Sequence, residues 1–248
     1  DATDPNVANT LSNYASAIIL DYQDRITQNR QLPYTIHTEL RMLYNPQLKG
    51  AFNFVPGVMA MVLLLVCTMM TAITIVREKE MGTMEVMLVS PMKPMMVVLA
   101  KAVPYLALSI VNISSILLLS VYVLGVPING SLVLLVMESV LFTLVSLSLG
   151  LLISSIADSQ QTAMFISLVA LFLPTVMLSG FMFPVENMPL PLRVMSNIVP
   201  AKWYYNIVKT VMIKGVGLRF VWKETLILAG MMLFFLSLSI KNFKIRLA

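Results

Sequence analysis

The chain has 248 residues, of which 58% are hydrophobic and only 12% charged, with a formal net charge of +5 and a mean hydropathy of +0.85. About a quarter charged is usual for a soluble domain, so the composition excludes one and reads as an α-helical integral membrane protein. The basic residues are scattered along the flanks of apolar runs instead of clustered, a pattern for anionic lipid headgroups and not for nucleic acid.

Residues 1–54 are the one soluble-looking portion. Asp4 before Pro5 predicts a helix start, with the aspartate as cap and proline at the first helical position. Leu11, Tyr14, Ile18, Tyr22 and Ile26 then recur at spacings of three and four, predicting an amphipathic helix over about 5–29. The stretch from Tyr34 to Tyr44 alternates and predicts a β-strand ended by a turn at Asn45-Pro46. A lone strand cannot satisfy its backbone groups, so 1–54 reads as part of an α+β domain whose partner strands are expected in sequence upstream or in another subunit. The chain begins at Asp1 and not at Met, which predicts further sequence upstream.

Five apolar runs follow, near 55–76, 96–124, 131–156, 162–183 and 222–241. Each is long enough to cross a hydrocarbon core of about 30 Å as a helix. Pro104 and Pro174 fall inside the second and fourth runs and predict kinks there. Residues 184–220 are apolar but broken by Pro184, Pro189, Pro191 and Pro200. That segment reads as short re-entrant or interfacial helices, with Trp203, Tyr204 and Tyr205 as anchors at the membrane surface. Counting lysines and arginines on the two sides does not decide the orientation, although the basic tail after Lys241 favours an inside C-terminus.

Between the first two runs lies REKEMGTMEVMLVSP, residues 77–91, with Lys93 just beyond. Met81, Met84, Met87 and Leu88 can share one side of a helix, with Arg77, Glu78 and Glu85 elsewhere on it. Such a helix either stabilises a connection at the membrane surface or offers acidic groups for another protein to grip, and the pattern leaves both open.

Glu138 is the acidic residue well inside a run. A carboxyl there faces a partner or a wet cavity, so it is a candidate for the transport pathway or for tying neighbouring helices together. Ser139, Thr143 and Ser146 lie on the same helical face, and Asn112 sits in the preceding run. Catalytic chemistry is poorly supported. The sole histidine is His37, the sole cysteine is Cys67, and no Gly-Lys pair is present from which a phosphate-binding loop could be built.

The stretch VREKEMGTMEVMLVSPMKPMMVVLAKAVPY resembles the segment of the type-2 ABC transporter permeases in which a span ends in a charged run closed by Ser-Pro and followed by a lysine. RMLYNPQLKGAFNFVPGVMA, LGLLISSIADSQQTAM and LSGFMFPVENMP extend the resemblance along essentially the whole chain, in order. The resemblance implies one further span upstream and a larger external domain, of which 1–54 is the C-terminal part. It implies a transmembrane domain over 55–248, with an amphipathic cytoplasmic coupling helix at 77–92 and an external re-entrant segment at 184–220. The implied coupling contacts to a separate ATPase subunit are Arg77, Glu78, Glu80, Gly82, Thr83, Met84, Glu85, Leu88, Ser90 and Pro91. Asn112 and Glu138 become pathway candidates, and Phe181, Phe183 and Glu186 candidates for an outer gate. The function implied is that of the membrane subunit of an ATP-driven exporter of hydrophobic or amphiphilic compounds, located in the bacterial inner membrane. ATP and Mg are expected in the partner subunit, with none bound by this chain. A second copy or a similar permease would complete the pathway, and a periplasmic adaptor is a further candidate partner. The alternatives from other classes are a secondary transporter, which needs paired carboxylates or repeated broken helices, and a non-transporting membrane scaffold or sensor.

Overall fold

The computed structural model describes residues 3–27, 39, 41–82 and 94–245; for 94–102 and 242–245 it gives the helical backbone alone. The chain divides into two compact units, Asp1–Asn53 and Phe54–Ala248. Every regular element among the described residues is helical.

In the first unit, helix α1 runs over Pro5–Thr27. Its start is the expected one: the Asp4 carboxylate accepts hydrogen bonds from the backbone N–H of Asn6 at 3.0 Å and Val7 at 3.4 Å, satisfying donors that have no partner inside the helix. Leu11, Tyr14, Ile18 and Tyr22 form an exposed stripe along it. Of the strand expected at 34–44, only Glu39 and 41–44 are described, and they are not strand. Leu43 and Tyr44 bend instead, with Tyr44 at φ 70°, which breaks the extended conformation that a strand requires. The predicted turn follows. The Asn45 side chain accepts from the backbone N–H of Lys49 and donates to its carbonyl, each at 3.0 Å, closing the loop before the first span.

The second unit holds the membrane part. Among the described residues five helices are long and apolar enough to cross a membrane: Ala51–Glu80, Val103–Tyr122, Leu132–Ile156, Gln160–Leu178 and Leu218–Lys241. They coincide with the five apolar runs, because an apolar run of that length satisfies its backbone inside a membrane as a helix. We name them α2 (Ala51–Glu80), α3 (Pro94–Tyr122), α4 (Leu132–Ile156), α5 (Gln160–Leu178) and α8 (Leu218–Ile245). Between α5 and α8 stand two shorter helices, α6 (Leu190–Ser196) and α7 (Pro200–Val208), the latter prolonged by a π-helical turn at Lys209–Ile213.

Helix α4 is the hub. It carries apolar residues on every side, and α8, α3, α7 and α5 all pack on it, α8 most extensively. Helix α2 meets it where Gly150 lies: a Cβ on Gly150 would stand 2.7 Å from the Thr68 carbonyl oxygen. Only glycine permits that approach, which also lets the Thr68 hydroxyl donate to the Ser146 carbonyl at 2.9 Å. In α5 a π-helical turn at Leu168–Phe172 stands immediately before Pro174. The wider turn takes up the proline ring, which would otherwise meet the carbonyl one turn back.

Candidate functional site

The residues singled out by sequence fall into three places along the spans. At one end, α2 closes with Arg77, Glu78, Lys79 and Glu80, and the chain turns at Met81-Gly82 with Gly82 at φ 67°. Arg77 and Glu80 are exposed, and Glu78 and Lys79 half-buried. Lys79 donates through Nζ to the carbonyl of Ser154 in the last turn of α4. The Glu80 carboxylate accepts from the backbone N–H of Gln160, the first residue of α5, at 2.8 Å, and from the Gln160 side-chain amide as well. Beneath these bonds Ala72, Val76, Ile153, Ala157 and Ala163 form an apolar cluster, with Ile166 and Leu171 packed against it. Thr83, Met84, Glu85, Leu88, Ser90 and Pro91 lie outside the described residues.

In the second turn of α4, towards the end of the spans away from Glu80, Glu138 is buried, at 3% exposure. Its Oε1 accepts from the Thr225 hydroxyl of α8 at 2.7 Å, while Oε2 is buried with no hydrogen-bond partner. The carboxyl therefore stands between α4 and α8. One residue on, the Ser139 and Tyr204 hydroxyls share a hydrogen bond of 2.6 Å, and the Tyr204 ring stacks on Phe142 with centroids 4.2 Å apart. Thr143 and Ser146 are fully buried, and their hydroxyls donate to the carbonyls of Ser139 and Phe142 in the preceding turn. Asn112, on α3, is half-buried.

Of the three aromatic residues expected at the membrane surface, the structure corrects two: Tyr204 and Tyr205 are buried inside the protein at 0% and 3% exposure. The physical reason is the helical spacing of α7. Tyr204, Tyr205, Ile207 and Val208 are buried together, and so is Ala201 three residues before Tyr204, giving α7 one inward face. Trp203 stays half-buried, its indole N–H donating to the Asn197 carbonyl at 3.0 Å. From the other side, Asn129 in the α3–α4 loop grips the end of the π turn. Its backbone N–H donates to the Met212 carbonyl and its side-chain amide to the Ile213 carbonyl, each at 2.9 Å.

At the opposite end of the spans from Glu80, Phe181 lies over Gly57 of α2, so close that a Cβ on Gly57 would fall 1.9 Å from the ring. The ring also meets Phe54 at 5.9 Å between centroids. Phe183 and Glu186, the other gate candidates, are exposed. Lys202 is held by the Asn197 side-chain oxygen at 2.6 Å and the Ser196 hydroxyl at 3.0 Å. Burial, aided by the Arg193 charge, lowers the pKa of its ammonium, and Glu186 opposes that shift. Among the described residues no group of three or more His, Cys, Asp or Glu side chains is arranged to hold a metal ion.

The sequence reading missed Gln160, Thr225 and Asn129 as partners. An Asn or Gln beside a span is common, and nothing in local spacing marks which one meets a residue eighty positions away.

A family model described as ABC-2 family transporter protein matches residues 1–241. The chain is 32% identical over 224 residues to the probable multidrug ABC transporter permease YbhR of Escherichia coli (strain K12), covering 90% of this chain and 61% of that protein. It is 34% identical over 217 residues to the probable multidrug ABC transporter permease YbhS of the same strain, covering 87% and 58%. It is also 28% identical over 198 residues to ABC transporter G family member 20 of Dictyostelium discoideum, covering 79% and 27%. The chain thus spans about three fifths of the two bacterial relatives. No solved structure matches it.

Proposed function

We propose, since this chain belongs to the ABC-2 family of transporter proteins, that it serves as the membrane-spanning permease subunit of an ATP-driven exporter. The observation that carries the reading is the family match over residues 1–241, which takes in all five spans and the charged segment between the first two. A separate ATPase subunit, holding ATP and Mg, docks on residues 77–92, with Met84, Glu85 and Leu88 as the central contact. A second copy of this chain, or a similar permease, faces it across the pathway. Residues 1–54 and the re-entrant segment lie outside a bacterial inner membrane, and the C-terminus lies in the cytoplasm.

The substrate is a hydrophobic or amphiphilic compound, drug-like or lipid-like. Two relatives whose names read multidrug support this, as does the apolar character of the spans. Nucleotide binding favours one arrangement of the spans and hydrolysis resets it, a two-state element biased by a ligand. Glu138 serves by joining α4 to α8 at the wall of the pathway, and Phe181 by closing on Gly57 at its outer end.

The test is co-purification of the tagged full-length protein in mild detergent, with mass spectrometry of its companions and an ATPase assay. A nucleotide-binding subunit is expected, with stimulated hydrolysis that Glu85→Arg abolishes while the protein stays inserted. Isolation of the chain alone and inert, or unchanged stimulation in the variant, overturns the coupling assignment.

A further inference from the structure

We infer that Glu80 and Gln160 form an internal bracket that makes α5 follow the end of α2, with Gln160 as a positioning residue for coupling. The inference rests on the permease reading, since it is the docked ATPase that would displace the segment beyond Gly82.

A helix ends with carbonyls and begins with N–H groups that have no partner inside it, and its ends carry opposite partial charges. Helix α4 ends and α5 begins within a few residues of one another. Lys79 and Glu80 diverge by about 100° around α2, and each meets the end that suits its sign. The ammonium binds the Ser154 carbonyl at the negative end of α4, and the carboxylate binds the Gln160 N–H at the positive end of α5. Ser159 supplies the remaining cap on α5, accepting from the Thr162 N–H at 3.1 Å.

Helix α5 is less enclosed than α4 and α2: 17% of its most apolar stretch is buried within the protein, against 56% and 50%, with α8 lower still at 11%. The bracket and the apolar cluster below it fasten its first turns to α2. Further along come the π turn before Pro174 and then Phe181 on Gly57. Glu80 stands two residues before the Gly82 turn, so a displacement of the end of α2 is carried by the bracket to the first residue of α5.

The test uses the full-length protein with its ATPase partner in phosphatidylethanolamine–phosphatidylglycerol nanodiscs, in a Cys67→Ser background. A reporter, Met177→Cys, sits at the far end of α5 on an exposed position. Its reactivity with a maleimide is compared without nucleotide and with Mg-ATP plus vanadate, and a several-fold nucleotide-dependent change is expected. Gln160→Pro removes both donors of the bracket yet leaves the helix start intact: position 160 is the first helical residue, where proline is favoured, and Ser159 before it is already extended at φ −134° and ψ 153°. That variant is expected to lose the nucleotide response while keeping the partner and its hydrolysis. Gln160→Ala, which retains the backbone donor, is expected to keep part of the response, and Glu80→Ala to lose it. A parental response in Gln160→Pro overturns the bracket, and so does a loss confined to Glu80→Ala. A parent that recruits no ATPase overturns the permease reading, and the bracket's role with it.

Discussion

Tyr204 on α7 and Ser139 on α4 share a 2.6 Å hydrogen bond at full burial, with the Tyr204 ring stacked on Phe142 from the next turn of α4. This pins α7 to the hub helix by an aromatic face and a hydroxyl together. Tyr204→Phe keeps the stack and loses the bond, for an expected cost of about 0.5–2 kcal/mol. Tyr204→Ala loses both and should cost roughly 3–5 kcal/mol. Thermal unfolding in detergent, followed by loss of the monodisperse peak, distinguishes the two, and equal midpoints would remove the stack from the account.

Glu138 and Thr225 join α4 to α8. Glu138→Gln preserves an acceptor for the threonine hydroxyl and is expected to shift stability by no more than about 1 kcal/mol. Glu138→Leu and Thr225→Val each strip one partner. In the double variant the two losses should be less than additive, with a coupling of about 0.6–1.7 kcal/mol. Strict additivity would show that the carboxyl works elsewhere.

Gly57 has no room for a methyl group beneath Phe181. Gly57→Ala should displace the ring and alter basal ATPase stimulation in the reconstituted complex. Phe181→Leu, with a smaller and more compliant side chain, should restore it when combined with Gly57→Ala. Failure of the pair to recover would place the effect of Gly57 in the backbone of α2.

Gly150→Ala sets a Cβ 2.7 Å from the Thr68 carbonyl and 2.8 Å from the Thr71 Cβ. Because the nearest atom is backbone, α2 and α4 must move apart, at roughly 1–3 kcal/mol. A lowered thermal midpoint is expected, larger than that of Gly230→Ala, where no atom lies within 4 Å.

Cys67 is buried at 2% exposure. A water-soluble maleimide should leave it unlabelled in the folded protein and modify it after denaturation in dodecyl sulfate. Labelling of the native protein would show that α2 opens there.

The residues by themselves determined the helices and their order. Apolar runs near 55–76, 131–156 and 222–241 became α2, α4 and α8 because a chain in hydrocarbon must satisfy its N–H and C=O groups within the segment, and only a helix does so locally. The Asp4-Pro5 start and the Asn45 turn were legible for the same reason: their partners lie within four residues. The family resemblance, too, was carried by short contiguous motifs. What only the tertiary structure decided is which polar residues meet. Glu80 and Gln160 are 80 positions apart, Glu138 and Thr225 87, and Ser139 and Tyr204 65. Such pairs depend on the rotation and depth of each helix against its neighbours, which are set by close approaches such as Gly150 on Thr68 and by the inward face of α7. Tyr204 shows the difference most plainly. Its amphipathic chemistry suits a membrane surface, and it is the Ser139 hydroxyl, supplied by another helix, that lets it be buried instead.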